Sequence, residues 1–144
     1  MRPSGEQSGT EKVIAGRKGC HGGLVANKGD TFGFNIAAAD CWTNGVFMNS
    51  GAISNFTDWH YVVGVYDNRS MKIYVDGTLK NEAAFASGMY GYSDEFYIGG
   101  IGTYVFDGLI DEVAVYRTAF TATEVWKHYT MGAGRYSFAQ TQEK

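Results

Sequence analysis

Residues 59–77 read Trp59-His60-Tyr61-Val62-Val63-Gly64-Val65-Tyr66-Asp67-Asn68-Arg69-Ser70-Met71-Lys72-Ile73-Tyr74-Val75-Asp76-Gly77, and they decide the fold class. Successive side chains of a strand point to opposite faces, so Trp59, Tyr61, Val63 and Val65 share one face. The polar cluster Asp67–Ser70 ends that run. Met71, Ile73 and Val75 then share a face of the returning strand, and Asp76-Gly77 is a strong signal for a tight two-residue turn. The stretch predicts a β-hairpin. Tyr66 and Tyr74 are expected as a cross-strand pair on its outward face, with Trp59 in the core.

The same punctuation continues outward. Lys12–Ala15 and Gly23–Ala26 flank a Gly-rich turn, and Asn27–Asp30 is a further turn before a strand over Thr31–Ala37. Gly45–Met48 follows the loop 38–44, Glu95–Gly99 is a short strand, and Leu109–Tyr116 is the last. Thr121-Ala122-Thr123-Glu124 has the form of a capping box, which predicts one short helix from Ala122 to about Thr130, with Trp126 as an anchor. Composition agrees. The 144 residues hold 20 Gly, one Pro, nine Phe, ten Tyr and three Trp, with eleven Val against three Leu. Helices favour Leu and tolerate Gly badly, whereas strands favour β-branched and aromatic residues joined by Gly-bearing turns. The expectation is an all-β chain of two packed antiparallel sheets with one short C-terminal helix, a single domain over 12–130, and flexible ends at 1–11 and 131–144.

A net charge of −3 leaves no basic footprint for nucleic acid. The longest apolar stretch, Val62–Tyr66, is far too short to span a bilayer, and the polar start of the chain carries no apolar run of signal-peptide type. Cys20 and Cys41 lack the spacing of a zinc or redox motif; whether they pair stays open. Nucleophile-elbow, zincin and phosphate-loop motifs are absent. His21, His60 and His128 are scattered, which favours local hydrogen bonding for each. Asn55-Phe56-Thr57 and Asn68-Arg69-Ser70 have the form of glycosylation sequons and are read as chance matches.

Three segments in order carry a family resemblance: 59–67; Lys72-Ile73-Tyr74-Val75-Asp76-Gly77; and Phe106-Asp107-Gly108-Leu109-Ile110-Asp111-Glu112-Val113-Ala114-Val115-Tyr116 running on to Val125. Together they resemble the laminin-G-like domains of the concanavalin A-like lectin/glucanase superfamily, over roughly residues 12–130. The resemblance implies a jelly-roll β-sandwich. The chain enters at a strand, Val13-Ile14-Ala15-Gly16, that comes later in fuller members. A missing strand leaves an open sheet edge, and such edges invite pairing with another chain, so a homo-oligomer through that edge is expected.

The superfamily includes glucanases, whose chemistry needs two carboxylates at a set separation. Asp94-Glu95 and Asp111-Glu112 are adjacent pairs, which point to opposite faces of a strand, so catalysis is not expected. The resemblance also implies a structural calcium at Asp111, a hard cation held by carboxylate and backbone oxygens; the competing reading is an aspartate that accepts backbone N–H bonds. Aromatics in Gly-rich loops suit stacking on sugar rings, because loops run over the surface. Trp42, Tyr90, Tyr92 and Tyr104, with Asp94 as polar partner, are the candidate carbohydrate contacts. The expected function is therefore a non-catalytic, lectin-like recognition module, extracellular or cell-surface, for a glycan or a glycosylated or protein surface. A structural or adhesion module of a larger extracellular or virion assembly is the alternative, and a glycoside hydrolase the third.

Overall fold

A computed structural model describes residues 1–5, 11–17, 22–27, 29–37, 45–89 and 95–140, with side chains up to residue 132. The strands are β1 (Arg2–Pro3), β2 (Lys12–Arg17), β3 (Gly23–Asn27), β4 (Thr31–Ala37), β5 (Gly45–Ala52), β6 (Val62–Tyr66), β7 (Ser70–Val75), β8 (Thr78–Ala84), β9 (Phe96–Ile98), β10 (Gly100–Ile101), β11 (Tyr104–Val105) and β12 (Gly108–Leu109). One helix, α1 (Ala122–Gln140), follows them. The large sheet runs β10-β11-β2-β3-β4-β5, with β9 also pairing β2; the small sheet is β6-β7-β8, and β1 pairs β12 separately. Pairing is antiparallel except where β11 meets β2 in parallel.

Ile14, Ala26, Phe32, Phe34, Ile36 and Met48 of the large sheet pack against Val62, Met71, Ile73 and Val75 of the small one. That interface is the sandwich core. A Cβ at Gly64 would overlap the ring of Phe34, so a glycine here lets the two sheets close. The other face of the small sheet is also covered: Val65 and Tyr74 are buried with Val125 of α1, and Tyr61 and Val63 pack beside them. Burial on both faces explains why Val62–Tyr66 is apolar throughout rather than alternating.

The 59–77 hairpin forms as β6 and β7, and the Asp76-Gly77 turn has φ of 51° and 75°, the left-handed pair required by a type I′ turn. The tyrosine pairing is different. Tyr66 faces Met71 and Tyr74 faces Val63, which puts Tyr66 on the core side and Tyr74 beneath the helix. Trp59 and Trp126 are substantially exposed; Val125 anchors the helix, and the Trp126 indole lies over Gly77.

The capping box forms as read. The Thr121 backbone N–H donates to Glu124 Oε2 at 2.7 Å, and the Glu124 N–H donates to Thr121 Oγ1 at 3.3 Å. The helix then continues well past Thr130 to Gln140, since no proline interrupts 131–140. At the other end, Pro3 is fully buried and β1 pairs β12, so residues 1–4 are held in place. The strand expected over Leu109–Tyr116 is confined to Leu109. Glu112 has φ 52°, which breaks an extended run, and Val113, Val115 and Tyr116 are exposed.

Candidate functional site

Cross-strand partners share a sheet face. Register aligns Tyr97 with Gly16, Gly16 with Gly23, Gly23 with Asn35, and Asn35 with Phe47. These five residues make one row across β9-β2-β3-β4-β5. Their neighbours Ala15, Phe34 and Met48 belong to the core, so the row lies on the outward face. Four strand spacings give it a span of about 19 Å. Aromatics stand at both ends: Phe47 is 53% exposed, and half-buried Tyr97 donates its hydroxyl proton to the Glu95 carboxylate. The middle is glycine. A Cβ at Gly16 would meet the Gly22 carbonyl oxygen, and one at Gly23 the Ala15 carbonyl oxygen, so the backbones approach too closely for any side chain. Buried Asn35 donates from Nδ2 to the Glu11 carboxylate, 3.4 Å from each oxygen.

The row lies near one end of the sheet. β2 ends at Arg17, β3 starts at Gly23, β4 ends at Ala37, β5 starts at Gly45 and β9 starts at Phe96. Arg17 pairs with Phe96, and Ala37 with Gly45. Ala37, Gly45 and Phe96 thus stand at the same end of the sheet; in sequence, Trp42 falls between the first two, and Tyr90, Tyr92 and Asp94 precede the third. Those last four residues, like Cys20 and Cys41, lie outside the described residues. Phe96 is 48% exposed. Phe47 and Tyr97 were not singled out from sequence, though the signal was there: Phe47 sits between core-facing Val46 and Met48, so the period of two turns it outward.

Tyr104 is placed elsewhere. It pairs with Ile101 within the β10-β11 hairpin, and β11 meets β2 at Val13. Lys12 Nζ donates to the Thr103 carbonyl oxygen at 3.5 Å. That is the opposite end of β2 from Arg17, about 16 Å away at the usual strand rise. Asp111 is exposed, and its Oδ1 accepts the Glu112 N–H at 2.9 Å. Among the described residues no group of three or more His, Cys, Asp or Glu side chains is gathered for a metal.

A second polar locus lies at the far end of the small sheet. A cavity of about 260 Å³ is lined by Ala52, Ile53, Ser54, His60, Val75, Asp76, Thr78 and Lys80. His60 Nδ1 lies 2.8 Å from Asp76 Oδ2 and its Nε2 lies 3.0 Å from the Asn55 carbonyl oxygen. Burial pulls the imidazole pKa down, but those two bonds together with the negative charges of Asp76 and Asp58 outweigh it and hold the pKa above its ordinary value. Burial pushes the Asp76 carboxyl up; the His60 contact and the Tyr61 N–H more than offset it, so it sits below its ordinary value.

Comparison with known proteins gives one family and one solved structure. The sequence model of the concanavalin A-like lectin/glucanases superfamily, in its laminin-G form, matches residues 1–126. A search of curated proteins finds no match. The chain is similar to the crystal structure of an S-layer domain-containing protein from Clostridium thermocellum, at 15% identity and a TM-score of 0.46, covering 90% of this chain and 66% of that one. With 126 of its 144 residues matched and a β-sandwich core, the chain belongs to the concanavalin A-like lectin/glucanase superfamily.

Proposed function

We propose that this domain is a non-catalytic carbohydrate-binding module that reads an extended glycan on the outward face of its large sheet, at the Arg17–Gly23–Ala37–Gly45–Phe96 end. The observation that supports the reading is the row from Tyr97 to Phe47 on that face, with Ala37, Gly45 and Phe96 at the same end of the sheet. Two glycines and a buried asparagine between two aromatics leave a low surface that suits a flat ligand, because ring faces can stack on its C–H surface while Glu11 and Glu95 supply hydrogen bonds. Tyr104, at the other end of β2, has no part in this site.

Titration calorimetry against soluble β-glucans and related polysaccharides tests it. Trp42→Ala and Phe47→Ala should each weaken binding about tenfold, equivalent to about 1.4 kcal/mol, and Tyr104→Ala should leave it unchanged. Equal losses from all three variants would remove the assignment of the site to this end. The same polysaccharides should remain uncleaved: the Glu95 carboxylate already accepts the Tyr97 hydroxyl, and the adjacent Asp111 and Glu112 belong to an irregular segment with Glu112 in the left-handed region.

A structural calcium at Asp111 belongs to the same proposal. Calcium should then raise the melting midpoint of the wild-type chain and not that of Asp111→Asn; an unchanged wild-type midpoint would eliminate it. An extracellular or cell-surface setting follows from glycan recognition. One observation favours a second reading, a structural or adhesion module: Leu109 of the β1–β12 pair and Val113, Val115 and Tyr116 of the segment that follows it are exposed. Exposed apolar side chains suit association, including the edge-to-edge pairing of two copies.

A further inference from the structure

His60 stands at a junction that glycan recognition does not use. It is only 7% exposed, with its ring edge-on to Phe32 at 5.7 Å between centroids. Both ring nitrogens face acceptors: the Asp76 carboxylate at Nδ1 and the Asn55 carbonyl at Nε2. Neither partner has a proton to give. A neutral imidazole carries one N–H, so it would leave one of the two contacts as lone pair against lone pair. Only the imidazolium satisfies both.

The partners are themselves fixed. Asp76 Oδ1 accepts the Tyr61 N–H at 2.9 Å, and the Asp76 N–H donates to the Tyr61 carbonyl at 2.9 Å. Asn55 and Asp76 both occupy the left-handed region, with φ of 55° and 51°, and the one ring spans them. The His60 backbone reaches a third segment: its N–H donates to the Met1 carbonyl at 2.7 Å, and the Met1 amino group donates to the His60 carbonyl at 2.8 Å. Through Met1 the junction connects to β1, and through β1 to β12. The cavity described above opens on His60 and Asp76, which gives solvent protons a route to the ring.

We propose that His60 is a pH-operated latch: doubly protonated, it clamps the Asn55 turn, the Asp76-Gly77 turn and the N-terminal strand together, and loss of one ring proton loosens all three. The charged groups facing it are Asp76 from the hairpin turn, Asp58 from the preceding turn, the Met1 amino group, and Lys80 across the cavity. The two aspartates favour the imidazolium; the amino group and Lys80 oppose it. The folded-state pKa of His60 is raised, so the clamp is fully present below the ordinary histidine value of about 6.5 and is lost as pH rises through the folded value. Asp76 is depressed, so its share is present above about 3.9 and is lost as pH falls through its own folded value. The latch is therefore closed in mild acid and opens on the alkaline side.

Nitrogen-15 NMR of the ring, combined with amide hydrogen exchange, tests this on the whole chain. At pH 6 both ring nitrogens should carry protons, with a titration midpoint above about 6.5. After correction for intrinsic exchange, protection at Ser4, His60, Tyr61 and Asp76 should fall together as the ring deprotonates, with one common midpoint. In His60→Gln that step should vanish. Asp76→Asn, which keeps an acceptor for the Tyr61 N–H, should lower the His60 midpoint by about one unit, and it provides the test should the glutamine variant not fold. A bare ring nitrogen at pH 6, an unmoved midpoint in Asp76→Asn, or a protection step of equal size in His60→Gln would each overturn the latch.

Discussion

Gly23→Ala should abolish stable folding, with a loss above about 4 kcal/mol, in the exceptional range for single substitutions. Gly23 has φ +143°, a conformation open essentially to glycine alone. The added methyl would also strike the carbonyl oxygen of Ala15 and the Cα of Gly16. Both obstacles are backbone, so no rotamer change relieves them. β2 and β3 would have to part where Gly16 pairs with Gly23, and the centre of the large sheet would part with them. Urea unfolding followed by tryptophan fluorescence gives the readout. A midpoint within about 0.5 M of wild type would mean a loss near 1 kcal/mol for a domain of this size, and would contradict the close approach of these strands.

Phe32→Ala comes next, at about 3–5 kcal/mol. Phe32 is wholly inaccessible on the core face of β4, 4.9 Å between ring centroids from Phe56, and its own N–H donates to Ser50 Oγ at 3.0 Å. Removing the ring leaves a cavity that β4, paired on both sides by β3 and β5, cannot collapse to fill. It also takes away the surface against which the His60 ring rests. A loss below about 1 kcal/mol in the same unfolding measurement would indicate that the two sheets do not close over this residue.

The architecture was legible where a local signal and a tertiary partner agree. Asp76-Gly77 specified its turn and Thr121 with Glu124 specified a helix start, because both motifs close their hydrogen bonds within four residues. Parity across the hairpin was harder to read. Tyr66 closes the β6–β7 ladder opposite Met71, which sets it on the face opposite Tyr74; the exact length of the intervening turn decided this, and composition does not fix it. Leu109–Tyr116 has the β-branched and aromatic content of a strand, yet a strand also needs a ladder, and only Gly108 and Leu109 have one. Register was likewise out of reach for the site. Tyr104 resembles the other loop aromatics in its Gly-rich setting, whereas the parallel Val105–Val13 contact sets it at the far end of β2. Phe47 and Tyr97 gained meaning only when pairing through Gly16, Gly23 and Asn35 put them in one row.

The central claim is that this sandwich is a recognition domain for glycans, and a glycan array covering the broad polysaccharide classes tests it most directly. Clear, saturable binding to at least one extended polysaccharide is expected, lost on the same array with Trp42→Ala and retained with Tyr104→Ala. Silence across every class, from a chain that circular dichroism shows to be folded, would contradict it and leave the exposed Leu109–Tyr116 segment as the working part of the molecule.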